Sequence, residues 1–434
     1  MTRQAREKVS WCLYDFGNSA YTTIIVTVAY SVYFTEVVAK ESGITLWGRA
    51  VAVSMLVVAF LSPLLGSLSD FSGRKKGFLT GFTLLSVLFT ALLYCVDEGD
   101  IAIGILFFVL ANICYNAALT FYDSFLKDLA EPDKIGRLSG YGWAVGYIGG
   151  FFSLLAVVPL LKGGFSEEAR PLFRLAFVVT AIFFLVFTLP ALIFLKDRAT
   201  TRVAPKSRIA YIKIGFVRIR ETARHIRRFR ELVLFFIAYF FYNDAINTII
   251  VYSAIFASKV LKFTASELIL YFIITQVSAA VGSFLFAPLT DRWGAKKTIQ
   301  CNLICWVFIV VWAYFVESRA EFYALGLCAG TLLGPTQAAS RALLARFAPL
   351  TKSTEFFGFF ALTGKISASI GPLFYGEIVR ISGSQRWATL SLGLFFLAGF
   401  FILKSVQEEK GIKEAEQGFS SPSMGGARDS GEAR

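Results

Sequence analysis

The sequence predicts an all-α membrane protein of twelve spanning helices, arranged as two pseudosymmetric six-helix bundles. Three observations carry that prediction: the chain of 434 residues is 56% apolar and only 17% charged, apolar runs recur along nearly all of its length, and one long basic stretch sits near its middle. A soluble protein of this length needs more charge to cover its surface. Twelve spans of roughly 20 to 25 residues occupy about 240 to 300 positions, leaving short loops, one central loop and a polar tail.

The first apolar run, near 11–36, follows a basic start and is interrupted by Asp15 and Asn18. It is far longer than the core of a signal peptide and is expected to remain as a span. Five more runs follow near 47–69, 77–96, 101–126, 138–161 and 172–195, bounded by charges or by Gly and Pro. A second set lies near 231–256, 266–289, 298–316, 322–346, 355–380 and 387–404. The expected organisation is therefore a bundle over 1–195, a linker over 196–230, a second bundle over 231–404 and a tail over 405–434. The tail ends in small and polar residues and is expected to be disordered.

The linker is strongly basic. Within it Ile209, Ile212, Phe216, Ile219, Ala223 and Ile226 recur at helical steps with Lys and Arg between them, the pattern of an amphipathic helix lying on an anionic inner leaflet. Counted over alternate loops, Lys and Arg number about 26 on the side of the amino terminus and the linker against about 10 opposite. Both termini and the linker are accordingly expected in the cytoplasm, with the chain in an inner or plasma membrane. This location also accounts for the net charge of +13 without nucleic acid as a partner.

Composition excludes several chemistries. The single histidine, His225, lies in the basic linker, so a histidine-cluster metal site is ruled out and a Ser-His-Asp triad has one awkward candidate. The six cysteines, at positions 12, 95, 114, 301, 305 and 328, lie mostly inside apolar runs without CxxC spacing and read as small buried hydrophobes. No GxxxxGK[ST] stretch is present to take ATP. We therefore expect neither an enzyme nor a cofactor or metal.

The two halves repeat two signals in the same order. Tyr14, Asp15 and Asn18 precede TTIIVT in the first span, and Tyr242, Asn243, Asp244 and Asn247 precede TIIVYS in the seventh, each giving Asp-x-x-Asn on one helix face. The loop after the second span reads GSLSDFSGRKK from Gly66, and the loop after the eighth reads APLTDRWGAKK from Ala287. In the first loop Gly66 and Gly73 permit close helix approach and a tight turn, Asp70 can face a helix amino terminus, and Arg74, Lys75 and Lys76 anchor one side. Asp291 and Gly294 repeat the spacing. Together these signals indicate duplication of a six-helix unit.

The loop GSLSDFSGRKK resembles the signature loop of the major facilitator superfamily. More specifically, WCLYDFGNSAYTTII from Trp11, IGRLSGYGWAVGYIGG from Ile135, YFFYNDAINTI from Tyr239, and GPTQAASRALLARFAP with EFFGFFALTGKISASIGP over Gly334–Pro372 resemble the "unknown major facilitator" family. That family is similar to the fungal autophagy-related vacuolar effluxers associated with amino-acid export, and the resemblance covers Trp11 to Leu403. It implies secondary transport by alternating access, with helices 1, 4, 7 and 10 lining a central cavity, and it favours efflux. The sequence departs from the pattern at Asp123, where a neutral polar residue is expected, and at Ala295, which replaces a basic residue in the second loop.

An ionised side chain at bilayer depth costs roughly 2.5 to 3.5 kcal/mol and normally faces a partner or a water-filled cavity. On that ground Asp15, Asp123, Asp244, Arg341 and Lys365 are candidate cavity residues, joined by Tyr14, Asn18, Asn116, Tyr242, Asn247 and Gln337. Alternatives stand beside these assignments: packing hydrogen bonds for each Asp-x-x-Asn, a static salt bridge for Asp123 with Arg341, and an ion pair of Lys365 with Glu355 or Glu377. A cavity bearing both signs of charge favours an amino acid or other small zwitterion, and the carboxylates make a proton a plausible coupling ion. Other polar metabolites, a lipid-acting membrane enzyme and a non-transporting receptor or scaffold are the rival readings. A monomer is expected. Gly66, Asp70, Gly73, Arg74, Asp291 and Gly294 are the candidate gating residues.

Overall fold

The computed structural model describes residues 2–198, 208–224, 229–368 and 370–417, and among these it contains helices and no strand. The first bundle comprises α1 (Arg3–Val38), α2 (Gly43–Ser72), α3 (Lys75–Leu92), α4 (Ile101–Ser124), α5 (Ile135–Leu161) and α6 (Arg170–Phe194). A linker helix, Arg208–Arg224, leads to the second bundle. This comprises α7 (Arg230–Leu261), α8 (Ala265–Trp293), α9 (Ala295–Phe315), α10 (Arg319–Phe347), α11 in two halves (Ser353–Ser367 and Ile370–Ser382) and α12 (Gln385–Ser405). A tail helix, Glu408–Gln417, follows.

Eleven of the twelve long segments are apolar enough to cross a membrane. The exception, α10, is as long as its neighbours but carries Gly330, Gly334, Thr336, Ser340 and Arg341. Most of its residues are buried against protein on several sides, so it needs little lipid-compatible surface. The first helix begins earlier than its apolar run, because the Thr2 hydroxyl caps it by accepting from the Ala5 N–H at 3.3 Å. Farther along, α1 widens into π-helical turns over Tyr21–Val28, which leave Thr22 and Thr27 exposed.

The halves meet where small residues let backbones touch. A Cβ on Gly66 of α2 would overlap the Thr354 and Glu355 backbone at the start of α11, and one on Gly358 would strike Ser62 and Pro63. On the other side of the molecule Gly136 and Gly140 of α5 lie against Thr290, Asp291, Ser283 and Ala287 of α8. Such close helix approach gains van der Waals packing where lipid supplies no hydrophobic drive. The contacts around Gly66 and Gly136 lie at the end of the bundle that carries the chain's first residues and the tail helix, here called the termini end.

A matched staple closes each bundle. Two residues past the last residue of α6's C-cap, Asp197 accepts from the Lys76 N–H at the start of α3 at 2.8 Å, while Lys76 Nζ donates to the Ile193 carbonyl at 2.8 Å. In the second half Glu408 accepts from the Lys296 N–H at the start of α9 at 3.3 Å, and Lys296 Nζ donates to the Val406 carbonyl at 2.6 Å. An acid meets a helix amino terminus and a lysine meets a helix carboxy terminus in both cases, as the helix dipole favours.

Three expectations need correction. The tail was expected to be disordered from 405, but Glu408–Gln417 is helical because its charges have partners: Glu408 with Arg346 at 3.0 Å, and Lys410 with Glu231 at 3.4 Å. Residues 418–434 lie outside the described residues, as do His225 and Ile226. The cysteines are free as expected, yet only Cys114 is buried; Cys95, Cys301, Cys305 and Cys328 are exposed on the helical bundle, where an apolar thiol can face lipid. The linker helix exposes Phe216 as the amphipathic pattern requires, but it docks on protein through Gly215, against Leu64 and Leu68 of α2, and through Thr222. The side chains of Ile209, Ile212 and Ala223 are not described.

Candidate functional site

Arg341 is the centre of the site. It projects from α10 into the first bundle, where its five donors all find acceptors, on three different helices. Its Nη1 donates to Asp123 Oδ1 of α4 at 2.9 Å and approaches Asp15 Oδ2 of α1 at 3.4 Å. Its Nε donates to the Ser139 hydroxyl of α5 at 3.0 Å, and Nη2 to the Ser139 carbonyl at 2.9 Å. The rings of Trp11, Trp143 and Tyr122 lie 4.8, 5.6 and 5.7 Å from the guanidinium carbon. Carboxylates neutralise the cation while aromatic faces replace its water.

Local sequence explains the nest. A Cβ at Gly142 would come within 2.9 Å of both Arg341 Nη2 and Asp15 Oδ2, so only glycine lets α5 lie against the ion pair. Tyr122 is sandwiched between Trp11 and Tyr14, each with ring centroids 4.6 Å away, and Trp11 Nε1 donates to the Tyr122 carbonyl at 2.9 Å. Tyr14 in turn bonds Thr83 at 2.8 Å. Asn18, one turn beyond Asp15, donates to its Oδ1 at 3.2 Å and accepts from Tyr115. The side chain of Arg341 is only 4% exposed, whereas Asp15 and Asp123 keep 13% and 25%. The carboxylates, not the cation, form the accessible edge.

Lys365 lies half-buried on the first half of α11, and Asp123 is the acid whose charge acts on it. Neither sequence alternative holds: Glu355 is bonded to Thr222 of the linker helix, and Glu377 to Arg380. The central group is therefore Asp15, Asp123 and Arg341, drawn from α1, α4 and α10, with Lys365 of α11 within range of the Asp123 charge.

The structure does not bring every candidate here. Asp244 was expected to share a cavity with Arg341; instead it is fully buried on α7 and accepts from the Gly371 N–H at 2.8 Å. Asn247 bonds within α7 to the Asn243 carbonyl at 2.7 Å, and Asn116 within α4 to the Asn112 carbonyl at 2.8 Å. Tyr242 shares a hydrogen bond of 2.7 Å with Ser340, one residue before Arg341, and Gln337 is half-buried on the same helix. Ser139, Gly142, Trp11 and Trp143 were missed as site residues, although the glycine-rich run of α5 signalled a close helix approach.

The signature loops act at the termini end. Asp70 accepts from the Thr354 and Glu355 N–H groups at 3.1 and 2.8 Å, so a carboxylate of the first bundle caps α11 of the second. Asp291 accepts from the Arg137 N–H at 3.1 Å, with the Arg137 side chain 3.6 Å away, so the second bundle caps α5 of the first. Gly73 and Gly294 end α2 and α8 with φ of 65° and 88°, a region that suits glycine. Arg74 corrects an expectation: it is exposed beside Gly77, Phe78 and Phe82, while its neighbour Lys75 is buried and paired with Asp128 at 2.7 Å. Ala295 stands at the Arg74 position of the second loop, so its missing charge removes nothing from the Asp291 cap.

Two six-helix bundles joined at cross-capped loops and at a central ion pair invite comparison with known proteins. Residues 31–416 match the family model described as vacuole effluxer Atg22 like. The chain belongs to that family. The MFS-type transporter YxiO of Bacillus subtilis is 31% identical over 428 residues, covering 96% of this chain and 98% of its own. Autophagy-related protein 22 of Kluyveromyces lactis is 27% identical over 421 residues, covering 91% and 81%. Among solved structures, the human organic anion transporter MFSD10 superposes with a TM-score of 0.72 at 14% identity, over 93% of this chain and all of its own, a likeness of fold. As an Atg22-like member of the major facilitator superfamily, the chain is a multi-pass membrane transporter and not an enzyme.

Proposed function

We propose that this transporter moves an amino acid or similarly small zwitterion by alternating access, in the efflux direction and coupled to protons. The observation that carries the reading is the 2.9 Å bond between Arg341 of the second bundle and Asp123 of the first. In the sealed state each charge satisfies the other across the interface. When the bundles part at the termini end, both lose their partner, and a zwitterion offers a carboxylate to Arg341 and an ammonium group to Asp123 or Asp15. A sugar leaves both charges bare, and a dicarboxylate opposes the two acids. Efflux is supported by the family's description as a vacuole effluxer, which names export from an enclosed compartment.

The charge asymmetry of the loops supports both termini on the cytoplasmic side. The linker helix, with Phe216 and Val217 exposed near Lys213, Arg220 and Arg224, suits an anionic leaflet. The test is counterflow in proteoliposomes loaded with mixed amino acids, with competition by amino acids, sugars and dicarboxylates. We expect inhibition by amino acids, and near-complete loss in Arg341→Ala beside normal rates in Arg380→Ala, whose side chain is 72% exposed at the opposite end. Inhibition by sugars alone, or full activity in Arg341→Ala, contradicts the reading.

A further inference from the structure

Asp244 is the repeat counterpart of Asp15, yet the two carboxylates have opposite surroundings. Asp15 faces a guanidinium. Asp244 is wholly buried, and its Oδ2 has no hydrogen-bond partner among the described residues. The nearby Thr248 hydroxyl is already committed to the Asp244 carbonyl at 2.8 Å.

Among the described residues, the one hydrogen bond to its carboxylate lies at the break in α11. Gly371 is in the first turn of the second half of that helix, where backbone N–H groups lack intrahelical acceptors, and Asp244 Oδ1 takes one of them. The preceding residue, Asn243, donates to the Ser367 hydroxyl at 2.8 Å at the end of the first half. Neighbouring side chains of α7 therefore grip both sides of the break. A Cβ on Gly371 would overlap Thr248 and Asp244, so the close approach depends on glycine.

The ionisable groups on the elements packed around Asp244 are engaged elsewhere or lie at the ends of their helices. On α10, Arg341 is bound to Asp123 and Asp15, and Arg346 to Glu408 of the tail helix. On α11, Lys365 interacts with Asp123, Glu377 pairs with Arg380, and the Tyr375 hydroxyl bonds Thr389. On α12, Arg386 donates to the Tyr314 carbonyl, and Lys404 lies in the last turn, at the termini end. On α7 itself, Tyr242 bonds Ser340 and Tyr252 bonds the Pro372 carbonyl. Among the described residues no cation forms a salt bridge with Asp244. A bare carboxylate sealed in a membrane is costly, and a proton on Oδ2 removes the charge without moving any helix.

We propose that Asp244 is the proton-carrying carboxyl of this transporter. It holds a proton on Oδ2 while the termini end is sealed. When α11 shifts at its break and water reaches the site, the O–H bond breaks, its electron pair stays on the carboxylate, and the proton passes to water. The ionised carboxylate then binds the Gly371 N–H and the amino terminus of the helix behind it more strongly, so proton release tightens the grip on the second half of α11. The inference rests on the transport reading above and names its coupling site.

The experiment uses the full chain in proteoliposomes with two readouts. Infrared difference spectra across a pH step are expected to contain a protonated-carboxyl stretch that is absent from Asp244→Asn and retained in Asp15→Asn. An entrapped pH indicator is expected to report solute-coupled proton movement in the wild type and its loss in Asp244→Asn. If Asp244→Asn does not assemble, Asp244→Glu supplies the same test by shifting the band to the glutamic-acid position. Persistence of the band in Asp244→Asn, an unshifted band in Asp244→Glu, or wild-type proton movement in Asp244→Asn overturns the proposal. Absence of counterflow in the wild type counts against the transport reading instead, and the infrared assignment is decided separately.

Discussion

At Arg341 a single side chain joins the two bundles, and its chemistry decides what the joint tolerates. Its planar fork reaches Asp123, Asp15 and Ser139 together, which the single ammonium of lysine cannot do. Removing the guanidinium leaves two half-buried carboxylates uncompensated, a loss below the roughly 3 to 5 kcal/mol typical of breaking a fully buried pair because both keep some contact with water. We therefore expect Arg341→Lys, which keeps the charge, to reach the membrane at normal abundance but to exchange solute at least about tenfold more slowly than the wild type. Wild-type counterflow in Arg341→Lys would reduce the site to net charge alone. Residue-scale reading of the sequence found both members of this pair by their cost at bilayer depth. It missed Ser139 and Gly142, because small neutral residues announce no function until the helix they line is seen against its partner.

At the scale of helices, the two signature loops are exchanged caps: each aspartate stabilises a helix start in the opposite bundle. Replacing a capping side chain usually costs about 0.5 to 2 kcal/mol, and here that loss falls on the seal between bundles. In a cysteine-free background carrying Gln337→Cys, Asp70→Asn and Asp291→Asn should each speed labelling by a hydrophilic thiol reagent applied from the termini end. Unchanged labelling in both variants would make the loops topological anchors only. The aspartates were legible because their spacing recurs, but their partners were not, since capping joins residues that lie in different repeats. The same reason hid Lys75 behind Arg74: helix phase, invisible in a run of three basic residues, turns Lys75 inward to Asp128. The tail helix was unreadable from its composition for a parallel reason, as Glu408 acquires its partners at Lys296 and Arg346 only in the folded chain.

For the whole molecule, the fold was legible from hydropathy and repetition, and the one of the twelve long described segments that falls short of a membrane-spanning composition, α10, carries the central arginine. Polar content that weakens a span as a lipid-facing element marks it as an interior one. The arrangement as a whole, sealed at the termini end by Asp70, Asp291 and Arg341, describes one of two states that a transporter must visit. Spin labels at Lys134 and Arg292 report the separation of the bundles at that end, and labels at Glu41 and Lys262 report the far end; all four side chains are exposed. Pulsed electron resonance in lipid nanodiscs, with transported solute and with pH varied, should show the Lys134–Arg292 distance lengthening as the Glu41–Lys262 distance shortens. Two distances that stay fixed, or that lengthen together, would contradict alternating access about the Arg341 site.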